Sequence, residues 1–396
     1  MSDKTNICLL NDSFPPTIDG VANATYNYAD ILTKMGHAVT VATPNMPGVV
    51  DNYAFSVTRY PSINIKKIEH TRTGIPLSYT ATREILQKSP EIFHTHCPFA
   101  STVYGRMLRK LSGAPMVLTY HTKFDIDIAK RFESPLARSA AVKIVVENCE
   151  ACDEVWTVSH GAGDNLKSLG FKGSYKVMEN GVDFPRGVAS EDAVRALNGE
   201  FDLPENVPVF LFVGRMFWYK GLKISLDGLA KAKASGIDFR MVFIGDGSDL
   251  NEVKAYAQTI GLARECIFTG AIRDREKLRA FCTRSYTFLF PSTYDTNGIV
   301  VREASACSLG SILIRGSCAA EGVTDGVNGL LIDENSDSMC DAILRICADK
   351  ELACTIGKNA GETLYLSWED AVAKAYSRYL ELITERRLRS KAAANL

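Results

Sequence analysis

The sequence has almost no net charge: 45 Lys and Arg against 46 Asp and Glu leave −1. That balance disfavours a wholly basic nucleic-acid binder, so no nucleic-acid partner is expected. No apolar run approaches the roughly 20 residues that span a bilayer, and Met1 is followed by Ser2, Asp3 and Lys4 rather than a secretory leader. A cytoplasmic location is therefore expected. No Walker A run occurs and no G-x-G-x-x-G fingerprint opens a helix, so ATP and nicotinamide readings lose ground. Eleven cysteines are scattered, and only Cys149 and Cys152 stand in C-x-x-C spacing with no second pair to complete a zinc site. Reduced, packed thiols are the expectation.

What is present is a chain of 396 residues with 46% hydrophobic content, enough for about two domains with sizeable cores. Short β-rich runs alternate with helix-length segments, the pattern of βαβ units and parallel sheets. Strands are predicted at 6–11, 37–43, 92–95, 116–120, 154–158 and 175–178, with a helix over 20–35 closed by Gly36. After a polar stretch at 184–206 containing Pro185, Gly187, Gly199 and Pro204, read as a linker, a second series follows at 208–213, 239–244, 266–269, 286–291 and 311–314. The expected division is 1–184, 185–366 and a terminal helical segment 367–396.

Chemistry is sought where strand ends and helix starts converge. After the strand at 208–213 come Gly214, Arg215 and, five residues on, Lys220 with Gly221. Two cations so spaced can face one anion, and a glycine-bounded turn lets backbone approach a phosphate; a solvated loop with surface cations is the plain alternative. Gly245, Asp246 and Gly247 form either a phosphate turn or an ordinary connection. The segment from Pro291 holds Asp295, seven residues, then Glu303. If a helix begins near Gly298, its first amides form an anion site and Glu303 can grip a ribose diol. Asp295 can accept from a sugar hydroxyl or support positive charge at an anomeric carbon. A capping Asp and a surface Glu are the bland counterpart.

Taken together, Phe212-Val-Gly-Arg215 with Lys220-Gly221, Gly245-Asp-Gly247, Phe268-Thr-Gly270 and Asp295-x7-Glu303 resemble the retaining glycosyltransferases of family 4. In the first half, Pro15-Pro16-x-x-Asp19-Gly20-Val21-Ala22, His94-Thr-His96 and Thr119-Tyr120-His121-Thr122 resemble that family's acceptor-domain loops in the right order. The resemblance implies an α/β chain of GT-B fold, two Rossmann-like doubly wound domains facing across a cleft, with the last helix returning to the first domain and Trp368 as its anchor. It also implies a hexose moved from a nucleoside diphosphate sugar, UDP-sugar first and GDP-sugar second, with the anomeric configuration kept. Arg215 and Lys220 would hold the diphosphate and Glu303 the ribose. Gly214, Gly245 and the backbone of Ile272 would also line the donor site, Ile272 at the base. Asn297, Gly298, Ile299 and Val300 would bind phosphate and sugar through their backbone, and Gly20 with Val21 would close over the phosphate. His121 would sit at the sugar as a neutral imidazole, with Asp19, His94, His96 and Tyr120 on the acceptor side. Fixed cations replace a metal, so neither metal nor cofactor is implied. The family has Glu where this chain has Asp295, one methylene shorter.

All six histidines fall in the first half, and zinc held by His94, His96 and His121 is the alternative to a polar acceptor pocket. Asp125-Ile126-Asp127 looks like a D-x-D metal motif but lies in the wrong half. Residues 59–143 carry 14 Lys and Arg against 6 Asp and Glu, a net of +8. With Arg106, Arg109, Lys110 and the Lys66-Lys67 pair, this region could rest on anionic lipid headgroups or be a solvated face. A lipid acceptor of diacylglycerol or phosphatidylinositol type is the first expectation, with the protein peripheral on the inner face of the membrane. A soluble sugar acceptor is the second. A sugar-nucleotide epimerase or hydrolase, or an inactive partner of the same fold, are the rival classes.

Overall fold

The structure is a computed structural model describing residues 4–17, 19–64 and 72–394. It divides into unit 1, Met1–Asn180 with Trp368–Leu396, and unit 2, Gly181–Ser367. In unit 1 the strands are β1 (Asn6–Leu10), β2 (Ala38–Pro44), β3 (Ser56–Tyr60), β4 (Ser62–Asn64), β5 (Arg72–Gly74), β6 (Ile92–Thr95), β7 (Met116–Tyr120), β8 (Glu154–Thr157) and β9 (Tyr175–Val177). Its helices are α1 (Gly20–Lys34), α2 (Tyr79–Gln87), α3 (Ala100–Ser112), α4 (Phe124–Arg131), α5 (Pro135–Glu150) and α6 (His160–Ser168). Unit 2 contains α7 (Glu191–Glu200), β10 (Val209–Val213), α8 (Leu222–Ala234), β11 (Arg240–Ile244), α9 (Leu250–Thr259), β12 (Cys266–Gly270) and α10 (Arg275–Arg284). It continues with β13 (Thr287–Phe290), α11 (Ile299–Ala306), β14 (Ser311–Ile314), β15 (Leu330–Ile332), α12 (Ser336–Ala348) and α13 (Lys350–Thr363). The long α14 (Trp368–Ala394) then returns the chain to unit 1.

The strands read as unbroken apolar runs because helices cover both faces of a parallel sheet. Phe210, Leu211 and Phe212 of β10 and Ile7, Leu9 and Leu10 of β1 are all buried. The seven-stranded sheet runs β3-β2-β1-β6-β7-β8-β9 and the six-stranded one β12-β11-β10-β13-β14-β15. Chain order therefore reverses between β1 and β6 in unit 1 and between β10 and β13 in unit 2. A doubly wound sheet places its ligand site at such a reversal, outside the carboxyl ends of the two strands.

Several stretches differ from the sequence reading. The supposed linker 184–206 contains α7, capped by Ser190, whose hydroxyl accepts from Ala193 N, and anchored by buried Leu197. Proline and glycine on either side of a helix with one buried contact gave it the texture of a connector. β3 and β15 were missed because one is a half-buried strand at the sheet edge and the other has three residues. Cys149 and Cys152 are free thiols at the end of α5, with Cys152 Sγ donating to Asn148 O at 3.3 Å.

Helix α14 belongs to unit 1 through specific contacts. Arg378 Nε and Nη2 reach Glu154 Oε2 at 3.1 and 2.7 Å. Tyr379 stacks on Trp156 with ring centres 5.5 Å apart, and Trp368 is buried with its ring 6.2 Å from Tyr28. Among the described residues no helix is long and apolar enough to cross a membrane.

Candidate functional site

In unit 2 the loops after β10 and β13, the strands flanking the reversal, carry the two motifs. Gly221 brings them together: its φ is 75°, and a Cβ there would stand 2.0 Å from Pro291 O, so only glycine permits this approach. The result is an ion pair between residues 75 apart in sequence, Lys220 Nζ to Asp295 Oδ1 at 2.5 Å. The Lys220 side chain is 9% exposed and that of Asp295 22%. Ser292 donates its hydroxyl to Asp295 Oδ2 at 2.6 Å, which fixes the carboxylate. Buried Lys220 thus presents a desolvated charge at the strand ends, where Coulomb interactions are strongest.

Arg215 is exposed, its guanidinium lying 5.2 Å from the Phe217 ring centre. The Gly245 turn acts as a buttress: a Cβ on Gly245 would meet Gly214 O at 2.0 Å, and Met216 N donates to Asp246 O at 2.9 Å. Gly245 thus packs its backbone against the Arg215 loop. The Ile272 side chain packs on the core of unit 2.

Gly298 is the N-cap of α11 and offers no side chain to its first turn. The leading amides of Ile299 and Val300 are then the orphan donors that a helix start leaves. Asn297, 7% exposed, has neither Nδ2 nor Oδ1 hydrogen-bonded. Such a buried amide is destabilising by itself, and a ligand able both to donate and to accept would satisfy it. Glu303 lies one turn into α11, and Arg275 Nη2 stands 2.8 Å from its Oε1. Burial pushes the Glu303 carboxyl above its ordinary range, with Arg275 pulling it back. The sequence reading missed Arg275 and Ser292; Arg275 lies three residues past Ile272, and only the fold brings it to Glu303.

Unit 1 corrects more of the expectations. His94 is fully buried, with Nδ1 2.5 Å from the Tyr379 hydroxyl and Nε2 2.7 Å from the Thr119 hydroxyl. Tyr120, also buried, donates its hydroxyl to Asn165 Oδ1 at 2.8 Å. Both hold the interior of unit 1 and have no surface for an acceptor. Asp19 Oδ1 accepts from Val21 N at 2.9 Å and Ala22 N at 2.7 Å, so it caps α1 and the Val21 amide is occupied. His96 Nδ1 and His121 Nε2 are 3.0 Å apart, one ring donating to the other. That bond engages one nitrogen of each ring. Among the described residues no group of three His, Cys, Asp or Glu is arranged around a metal position. Burial pushes His121 down to about 3 and His94 and His96 well below the ordinary range, so all three are neutral imidazoles. Gly20 is exposed at the start of α1.

The basic face is also smaller than its charge count suggests. Arg106 Nη1 donates to Asn148 Oδ1 at 2.9 Å, and Arg109 pairs with Asp153 at 2.6 Å, so both tie α3 to its neighbours. Asp125 lies in the first turn of α4 and accepts from Asn165 Nδ2 at 3.1 Å. The side chains of Ile126 and Asp127, and the Lys66-Lys67 pair, lie outside the described residues. A cavity of about 480 Å³ at the opposite, amino-terminal ends of β1–β3 is lined by Lys4, His37, Ser56 and Lys88 among others, and by no expected site residue.

Two doubly wound units, one carrying a buried cation and an open helix start at its sheet reversal, make up an architecture of GT-B type. Residues 18–186 match the family described as Glycosyltransferase Family 4, and residues 195–363 the family described as Glycosyl transferases group 1. The chain belongs to these glycosyltransferases. It is 24% identical over 304 residues to an alpha-monoglucosyldiacylglycerol synthase of Streptococcus pneumoniae, covering 76% of this chain and 69% of that one. A GDP-mannose-dependent alpha-mannosyltransferase of Corynebacterium glutamicum is 26% identical over 336 residues, 83% of this chain and 76% of that one. Among solved structures, a glycosyltransferase from Rickettsia africae superposes with a TM-score of 0.73 at 18% identity, covering 96% of this chain and 99% of that one.

Proposed function

We propose that this glycosyltransferase moves a hexose from a nucleoside diphosphate sugar to a lipid hydroxyl with the anomeric configuration kept. The observation that carries the reading is Lys220: a buried ammonium at the sheet reversal, beside the start of α11. A diphosphate arriving there gains the Lys220 charge and the amides of Ile299 and Val300, and both strengthen as charge develops on the leaving oxygen. Arg215, on its glycine-bounded loop, is the second cation and turns toward the diphosphate when it binds. Glu303 accepts from the ribose diol, the Asn297 amide from and to sugar hydroxyls, and the Ile272 backbone meets the base.

Transfer with retention follows a front-face displacement. The bond from the anomeric carbon to the diphosphate oxygen breaks, the acceptor oxygen bonds on the same face, and the acceptor proton passes to the departing diphosphate. Asp295 is held by Lys220 and Ser292, so it acts by electrostatics rather than as a nucleophile. Unit 1 carries the acceptor side, where His121 offers a neutral imidazole to a hydroxyl. A lipid acceptor is supported by the Streptococcus pneumoniae relative, whose name is that of a glycolipid synthase, and by an exposed apolar stretch. Leu136, 81% exposed, lies in chain with exposed Phe132 and Ile144, a combination that suits a lipid surface on the cytoplasmic side, while neighbouring Lys143 is paired with Glu147 at 3.7 Å. The mannosyltransferase relative favours GDP-mannose as the second donor after a UDP-sugar.

The test is nucleoside diphosphate release from UDP-glucose and GDP-mannose, with and without vesicles of diacylglycerol in anionic phospholipid. Release that needs the vesicles and labels the lipid is expected. Equal release without any acceptor means a hydrolase, and none under any condition means an inactive homologue.

A further inference from the structure

Within the donor site, one arginine is held more tightly than its exposure requires. Arg275 is 43% exposed, yet three contacts fix it. Its Nη2 is 2.8 Å from Glu303 Oε1 and 3.8 Å from Asp183 Oδ2, and its guanidinium carbon lies 4.2 Å from the Phe184 ring centre. Glu303 is 15% exposed, so its carboxylate has little water to stabilise it. A ribose diol presents two hydroxyl donors and binds best to an ionised carboxylate that is fixed in direction.

We propose that Arg275 is a positioning residue of the donor site: it sets the charge and aim of the Glu303 carboxylate, and is itself held by Asp183 and Phe184. This rests on the donor-site reading above. Glu303 meets opposed influences there: burial raises its pKa most, Arg275 lowers it and Asp183 raises it again. The remaining titratable neighbours are Arg279 and Cys282 on α10 and Cys307 just past α11, while Arg302 of α11 turns to Leu364 O at 3.1 Å. These groups are shared by the parent and every variant below, so differences between proteins report on Arg275 and Asp183.

Calorimetric titration with UDP-glucose and GDP-mannose between pH 4.5 and 8.5 tests the assignment, since neither diphosphate diester titrates in that window. Donor affinity of the parent is expected to change less than about twofold between pH 8 and 6. In Arg275→Gln the carboxyl is left without its cation, and affinity is expected to fall at least about fivefold over the same interval. Arg275→Lys restores most of it. Asp183→Asn removes the like charge while Glu303 at 2.8 Å and the Phe184 ring at 4.2 Å still hold Arg275, and moves the acid-side loss of affinity to lower pH than in the parent, an opposite displacement that a merely structural role cannot give. Because this change spares the hydrophobic core, it decides the matter even where Arg275→Gln fails to fold. Curves for Arg275→Gln and Asp183→Asn that run parallel to the parent overturn the proposal while the donor site stands. If neither nucleotide sugar binds the parent, the donor-site reading falls and this assignment with it.

Discussion

Removing Lys220 changes two things at once, and a thermodynamic cycle with Asp295 separates them. Lys220→Met strips the counter-charge from a carboxylate that still accepts from the Ser292 hydroxyl at 2.6 Å. Breaking a buried pair from one side costs about 3–5 kcal/mol. The retained hydroxyl and the residual exposure of Asp295 put the expected loss near about 3 kcal/mol, roughly a 150-fold shift in the folding equilibrium of unit 2. Asp295→Asn leaves a buried ammonium and costs a similar amount. Lys220→Met with Asp295→Asn removes both charges together and is expected to return within about 1 kcal/mol of the parent. Activity follows a different course. If Lys220 stabilises the leaving diphosphate, its loss costs about 3 kcal/mol of transition-state stabilisation, roughly a hundredfold or more in kcat, and the double variant recovers none of it. Hydrogen exchange of the β10 and β13 amides reads the stability of unit 2 by itself, and nucleoside diphosphate release under saturating donor reads kcat. A double variant that regains activity together with stability makes Lys220 a structural cation and refutes the diphosphate role.

Asn297→Ala deletes an amide that bonds nothing within the protein, so unit 2 is expected to keep its stability within about 1 kcal/mol, while kcat/KM falls about fivefold to thirtyfold, the value of one or two hydrogen bonds to the donor. Unchanged kcat/KM would take the side chain out of the donor site. Stability of unit 1 is expected to depend on acid through His121. Its folded pKa, near 3, lies below the unfolded value of about 6.5. The stability it contributes is complete above about pH 6.5 and is lost as pH falls toward 3, about 2 kcal/mol between pH 7 and 5. His94 and His96 act in the same direction, and urea unfolding of unit 1 with and without His121→Gln measures the difference. Arg378→Ala removes the forked contact to Glu154, expected to cost about 3 kcal/mol and to open α14 to proteolysis; an unchanged cleavage pattern would show that Tyr379 and Trp368 suffice.

The parallel sheets were legible because their strands are apolar on both faces and helices of ordinary length separate them. Eleven strands of the two main sheets could be placed that way. The short β15 and the edge strand β3 lacked that signature, and α7 was hidden by its proline and glycine flanks. In unit 1 the residue types were read correctly as polar, but their directions were not. On a strand end, alternation gives the face and not the depth, so buried His94 and half-exposed positions look alike in sequence. Asp19 shows the related limit: an Asp before a helix is both a candidate ligand and a natural cap, and here the cap wins with two amide bonds.

The acid pair of unit 2 shows where local spacing stops being informative. Asp295 and Glu303, seven residues between them, read as two carboxylates on one ligand, yet each has its own cation: Lys220 for Asp295, from 75 residues away, and Arg275 for Glu303, from 28. Neither pairing follows from spacing, because sheet order alone brings the loops after β10 and β13 together and sets α10 beside α11. The consequence for recognition is energetic. On the proposed function, a site in which both acids are already paired would offer an arriving diphosphate less net positive charge than its lysine and arginines suggest, and the nucleotide would have to draw the Lys220 ammonium partly away from Asp295. The shorter Asp295, lacking one methylene of the family's glutamate, reaches the ammonium only because Gly221 lets the loops touch. Substituting Gly221 with alanine would therefore separate Lys220 from Asp295, and the close approach of the loops and the chemistry proposed for them would be lost together.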